Sequence, residues 1–152
     1  NAEFAVSAAQ LKTLGITLLK LEQPAAIAGM TYAAKVMLPR GRGTIIFTGA
    51  TAGLRGSANF AAFSGAKHAL RALAQSMARE LGPKNIHVSH VVVDGAIDTQ
   101  FIRDNVPEMY AKKDEDGILN PDHIAENYWY LHTQPRDAWT HELDLRPWME
   151  RW

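Results

Sequence analysis

The chain reads as an α/β fold with a short parallel sheet and flanking helices, on three observations. Gly43 to Thr48 (GTIIFT) and Ile86 to Val93 (IHVSHVVV) are short β-branched apolar runs bounded by turn residues, the pattern of buried strands. Between them, Ala66, Leu70, Leu73, Ala74, Met77 and Leu81 recur at helical spacing. Strand, long helix and strand in that order are the sequence form of a right-handed βαβ unit, which makes the two strands parallel.

Taken from the start, Ala8 to Leu14 has the make-up of a short helix stopped by Gly15, and Ile16 to Leu21 suits a helix or a strand. As a strand it is expected beside Gly43 to Thr48, because an unpaired strand exposes a row of backbone donors and acceptors. Pro24 suits a helix start, and the small and apolar run to Leu38 suits a helix ended by Pro39-Arg40-Gly41. Gly43 to Thr48 is expected to be buried on both faces. A glycine-rich loop follows, then a helix from about Ser64 to Leu81, stopped by Gly82-Pro83, and the strand Ile86 to Val93, ended by Asp94-Gly95. Beyond Thr99 the chain turns polar: Lys112 to Gly117 (KKDEDG) reads as a solvated loop, Pro121 to Leu131 as a helix and Glu142 to Leu145 as a last strand. Residues 1–152 are expected to form a single domain.

Composition removes several functions. Lys plus Arg number 16 and Asp plus Glu number 16, so no net field draws the protein to nucleic acid or to an anionic membrane. With no cysteine there is no disulfide, thiolate metal site or thiol nucleophile, and a cytoplasmic location is the default expectation. Ala25 to Leu38 is too short to cross a bilayer and carries Lys35. The histidines His68, His87, His90, His123, His132 and His141 show no metal-ligand spacing; His87 and His90, an odd number apart on a strand, point to opposite faces.

From about residue 24 to 103 the chain resembles the short-chain dehydrogenase/reductase family. GTIIFTGATAG is similar to that family's fifth strand and serine loop. FAAFSGAKHALRALAQSMARELGPKNIHV is similar to the segment carrying Tyr-x-x-x-Lys, and DGAIDT (Asp94 to Thr99) to the Pro-Gly-x-x-x-Thr stretch after the sixth strand. The resemblance implies a partial Rossmann-like, three-layer parallel sheet and an oxidoreductase using NAD or NADP. It also implies that the strands carrying the phosphate loop and the acidic ribose contact are not among these residues. In such enzymes a tyrosine hydroxyl transfers the proton, a lysine four residues on lowers its pKa, and a serine thirteen residues earlier holds the substrate. Here Lys67 matches the lysine, but Phe63 stands at the tyrosine position and Ala50 at the serine position. Ala26 falls at the position of the family's catalytic asparagine if Ala26-Ile27-Ala28-Gly29 corresponds to Asn-x-x-Gly. Lys67, Gly95, Ile97 and Thr99 match contacts on the nicotinamide side.

The implied reading is therefore an oxidoreductase relative with impaired catalysis. The alternatives are a noncatalytic binding or oligomerisation subunit, a truncated gene product that folds by self-association without chemistry of its own, or an active enzyme whose cofactor-binding strands are supplied elsewhere. Thr48, Thr51 and Ser64 carry hydroxyls nearby, but an aliphatic hydroxyl is a far weaker acid than a phenol. The related dienoyl-CoA reductases also lack tyrosine at this spacing and use another; Tyr32 is the upstream candidate here. Thr48 to Gly53 imitates a pyrophosphate loop, yet the next strand begins about 38 residues after Thr48, whereas a first βα unit closes in roughly 30. His68 beside Lys67 would depress that lysine's pKa if both were enclosed. Trp139, Trp148 and Trp152 offer either a ligand surface or packing over a sheet edge. Helices 24–38 and 64–81 carry small residues on one side and match the pair that builds the family's dimer interface, so a homo-oligomer is expected.

Overall fold

A computed structural model describes residues 25–151, with the backbone alone for residues 25–28. The segments Ala8 to Leu14 and Ile16 to Leu21, and with them the expected strand beside Gly43, lie outside the described residues. The chain falls into two compact units, Asn1–Tyr32 and Ala33–Trp152. Helix α1 (Ala25–Met37) spans the boundary, and everything below concerns the second unit.

The second unit is a three-stranded parallel sheet in the order β1 (Gly43–Thr48), β2 (Ile86–Val93), β3 (Glu142–Leu145). Gly43 pairs with Ile86 and Thr48 with Val91, while His90 pairs with Glu142 and Val93 with Leu145. Helix α2 (Ala61–Leu81) is the crossover between β1 and β2. Short helices α3 (Gln100–Asn105) and α4 (Pro107–Tyr110), then α5 (Pro121–Thr133), join β2 to β3. This is a partial Rossmann-like α/β architecture.

All eight residues of β2 are buried, as a central strand covered on both faces requires. Its Val91 and Val93 pack with Leu131 of α5, and Ile46, Leu143 and Leu145 from the neighbouring strands close around them. Strand β1 departs from the expected burial on both faces. Ile45 and Phe47 are buried on one face, but Thr48 is exposed and Ile46 only half covered. The reason is chemical: this second face meets α5 through polar groups, with Thr44 bonded to His132 at 3.0 Å and Thr48 to Tyr128 at 2.7 Å.

Helix α2 begins at Ala61, earlier than its apolar periodicity suggests. A turn closed by the Phe60 N–H on the Ser57 carbonyl, with Asn59 at φ 69°, reverses the chain just before it. Helix α5 runs to Thr133 rather than Leu131, because the Thr133 hydroxyl bonds back to the Trp129 and Tyr130 carbonyls and Pro135 follows. Asn120 caps its start, accepting from the Asp122 N–H. The segment 112–117 is exposed as expected but not loose. Lys113 is paired with Asp98 at 2.8 Å and reaches the Tyr110 hydroxyl, which in turn accepts from Arg103.

Candidate functional site

In open parallel sheets, ligands meet the carboxyl ends of the strands. Here those ends are tied together by one buried acid. Asp94, directly after β2, is fully buried; its carboxylate accepts from the Thr51 hydroxyl in the loop after β1 and lies 3.5 Å from the Arg146 guanidinium, directly after β3. Arg146 also bonds Asp144. The acid thus links the loops after all three strands. Removing a partner from a buried carboxylate leaves a desolvated charge, so this cluster acts as a unit.

Lys67, on the second turn of α2, donates to the Thr48 carbonyl at 3.0 Å, and its ammonium sits 5.7 Å from the centre of the Phe63 ring. Phe63, about half exposed, packs edge-on against Phe60. Ala50 is extended and opens the turn Thr51–Gly53. The structure therefore brings Lys67, Phe63 and the Ala50 loop to one end of β1. A phenyl ring and a methyl group have no proton to give a substrate oxygen, which leaves the Lys67 ammonium as the one acid of the three. Ala26 lies in the first turn of α1, where the backbone alone is described, and Tyr32 belongs to the other unit.

Each residue matched to the nicotinamide side has a structural partner. Gly95 adopts φ +150°, and an added Cβ would lie 2.7 Å from Cδ of Pro147. Ile97 forms a parallel bridge with Leu119 and packs on the core. Thr99 caps α3, accepting from the Ile102 N–H at 3.4 Å. In the loop that imitates a phosphate cradle, Gly49 N–H donates to the Val91 carbonyl of β2, Gly53 to Ala50, and Leu54 and Arg55 both to Thr51. A cradle needs such N–H groups free and convergent. Four of the loop's N–H groups are therefore unavailable to a pyrophosphate.

His87 and His68 serve the fold. His87 stacks on Trp139 with ring centres 4.8 Å apart, and His68 bonds the Ser64 carbonyl beside Lys67 while remaining exposed. No group of three metal-capable side chains occurs among the described residues. Trp139 and Trp148 are not brought together: the first covers His87 and the second, largely exposed, donates to the Glu115 carbonyl at 2.9 Å. Trp152 lies outside the described residues.

Local spacing does not reveal a three-member network on the α2 side of the sheet. Arg71 clamps the Glu142 carboxylate with two bonds of 2.7 and 2.6 Å, and Glu142 accepts from Nδ1 of the fully buried His90 at 3.0 Å. The Arg71 hydrogen bonds hold the Glu142 carboxyl below its ordinary value, and burial pushes the His90 imidazole below its own. His90 is thus neutral at pH 7, and its Nε2 lone pair faces Gly49, where a Cβ would collide with it. The only sequence sign was a histidine, one of two, inside a strand read as buried.

Residues 7–109 match the family model described as short chain dehydrogenase, a wider span than the motif resemblance at 24–103. Zerumbone synthase of Zingiber zerumbet is 30% identical over 121 residues, covering 70% of this chain and 45% of that protein. (+)-Borneol dehydrogenase 2 of Salvia officinalis is 35% identical over 88 residues, covering 58% and 30%. The chain spans less than half the length of these two relatives. A short-chain dehydrogenase structure from Rhodopseudomonas palustris is 47% identical, with a TM-score of 0.57 over 76% of this chain and 43% of that one. A 4-hydroxyisoleucine dehydrogenase complexed with NADH is 25% identical, with a TM-score of 0.68 over 82% and 54%. No helix among the described residues is long and apolar enough to cross a membrane.

Proposed function

We propose that this chain, which belongs to the short chain dehydrogenase family, is a member in which the family's proton transfer is lost, so that in this form it neither reduces carbonyls nor oxidises alcohols. The observation that carries the reading is the phenyl ring of Phe63 beside Lys67, whose ammonium donates to the Thr48 carbonyl. A lysine activates a phenol by favouring its anion. Without the phenol, that charge has nothing to act on. The methyl group of Ala50 offers no hydrogen bond to a substrate, and the N–H groups of Gly49, Gly53, Leu54 and Arg55, bonded within the protein, are unavailable to a pyrophosphate.

A role in assembly is the second reading, favoured by the outer side of α2. Ala62, Ala66, Ala69, Ala72 and Ser76 are exposed along one face, and Phe60 and Phe63 stand exposed at its start. Small residues allow close helix approach, and a self-complementary patch suffices for a two-fold dimer. A stable dimer buries on the order of 1,600 Å². Ala69→Glu would place a carboxylate in such a contact and should dissociate it, which light scattering reads directly.

The deciding experiment titrates the protein with NADH and NADPH, following cofactor fluorescence, alongside a turnover assay. The proposal expects neither submillimolar affinity nor turnover. Cofactor-dependent turnover that Lys67→Ala abolishes would overturn it.

A further inference from the structure

A cavity of about 660 Å³ opens between the 98–120 segment, the first turns of α5 and the tail after β3, and neither Phe63 nor Lys67 lines it. Its lining mixes polar and apolar side chains, and its cations are engaged. Lys113 is ion-paired with Asp98, and Arg146 with Asp144 and Asp94. Three carboxylates, Asp98, Asp116 and Asp144, face two cations, Lys113 and Arg146, so the wall repels anions such as phosphates and carboxylates.

What remains uncommitted is neutral hydrogen-bonding capacity. Asn120 uses its amide oxygen to cap α5, leaving its NH2 group; Asn127 donates its NH2 group to the His123 carbonyl, leaving its oxygen. The His123 ring has no hydrogen-bond partner among the described residues. Donors and acceptors therefore alternate along one wall. Ile118, Ile124 and Leu145 supply apolar surface below them. At the rim stands Trp148, 74% exposed, its indole held in place by the bond to the Glu115 carbonyl. A large aromatic ring held that far out in water is a surface awaiting a flat apolar partner.

We propose that this cavity is a binding site for a neutral polyhydroxylated ligand of pyranose size, stacked by its C–H face on Trp148 and hydrogen-bonded by Asn120, His123 and Asn127. Hydroxyl groups donate and accept together and so match the alternating wall, while the unpaired carboxylate of Asp116 takes a further hydroxyl hydrogen. The volume lies within the range of small-molecule sites. The inference is independent of the fate of catalysis at Phe63 and extends beyond it.

Saturation-transfer NMR with maltose and with sorbitol as probes tests it on the whole chain. At least one should show saturable transfer at millimolar concentration, weakened at least tenfold by Trp148→Ala and by Asn127→Ala and left unchanged by Lys84→Ala. Inorganic phosphate should not compete. Should Trp148→Ala lose its fold, Asn127→Ala decides alone. The proposal is overturned if neither probe shows saturable transfer, if folded Asn127→Ala binds as the parent does, or if phosphate displaces the probe, which would make the site anionic in its preference.

Discussion

Glu142→Gln tests the Arg71–Glu142–His90 network, because a neutral amide of the same shape cannot satisfy both partners. The carboxylate accepts from Arg71 at both oxygens and from His90 at one of them. With its oxygen toward His90, a glutamine sets its NH2 group against an Arg71 donor. Turned round, it donates to His90, forces the ring hydrogen onto Nε2, and buries that N–H beside Gly49 without an acceptor. A hydrogen bond to a charged group contributes about 1.5–3 kcal/mol. Because the Arg71 and Glu142 side chains are 34% and 30% exposed, solvent screening reduces this to about 1–2 kcal/mol. For a chain of this size that corresponds to a Tm lower by about 3–6 °C at pH 7.5. Acidification should shrink the deficit. The folded-state pKa of Glu142 lies below its ordinary value, so its contribution is present above the unfolded value of about 4.5 and is lost as pH falls through the folded one. Calorimetry on the parent, Glu142→Gln, Arg71→Ala and the double variant gives the coupling directly, expected near 1 kcal/mol. Single effects that add to within about 0.3 kcal/mol would refute the network.

Three further outcomes follow from the same geometry. His90 is buried neutral with its pKa depressed, so the unfolded chain binds more protons than the folded one below about pH 6.5, and stability should fall from there downward; thermal melts at pH 7.5 and 5.5 that coincide would contradict its burial. Leu131→Ala empties the centre of the Val91 and Val93 cluster and should cost about 2–5 kcal/mol in urea unfolding, a loss under 1 kcal/mol being incompatible with that packing. The double change Phe63→Tyr with Ala50→Ser restores the phenol and the hydroxyl but leaves the internally bonded 49–55 loop as it is, so a spectrophotometric assay with NADPH should still show no turnover; robust activity would mean that the dinucleotide finds a seat elsewhere in the chain.

What the sequence determined by itself is the part of this protein governed by short-range periodicity. The bounds of β2 and β3, the parallel pairing across α2 and the placement of Phe63 one helical turn before Lys67 follow from two- and four-residue spacings that any helix or strand imposes. The turn character of Thr48 to Gly53 was legible for the same reason, since strand-to-strand distance along the chain limits which βα unit it opens. Tertiary structure alone decided what the polar residues do. Asp94 read as a turn residue, yet it is the buried anchor for Thr51 and Arg146, 43 and 52 residues away. His90 showed only the absence of metal-ligand spacing, and its carboxylate partner lies 52 residues on. The solvated charges at 112–117 became an ion pair with Asp98, and the scattered tryptophans became one stacking partner for His87 and one exposed rim. The physical reason is common to all of them. A helix or strand is specified by the chain's own geometry over a few residues, whereas a buried charge is stabilised by whichever group the fold carries to within about 3 Å, and nothing in local spacing encodes that meeting.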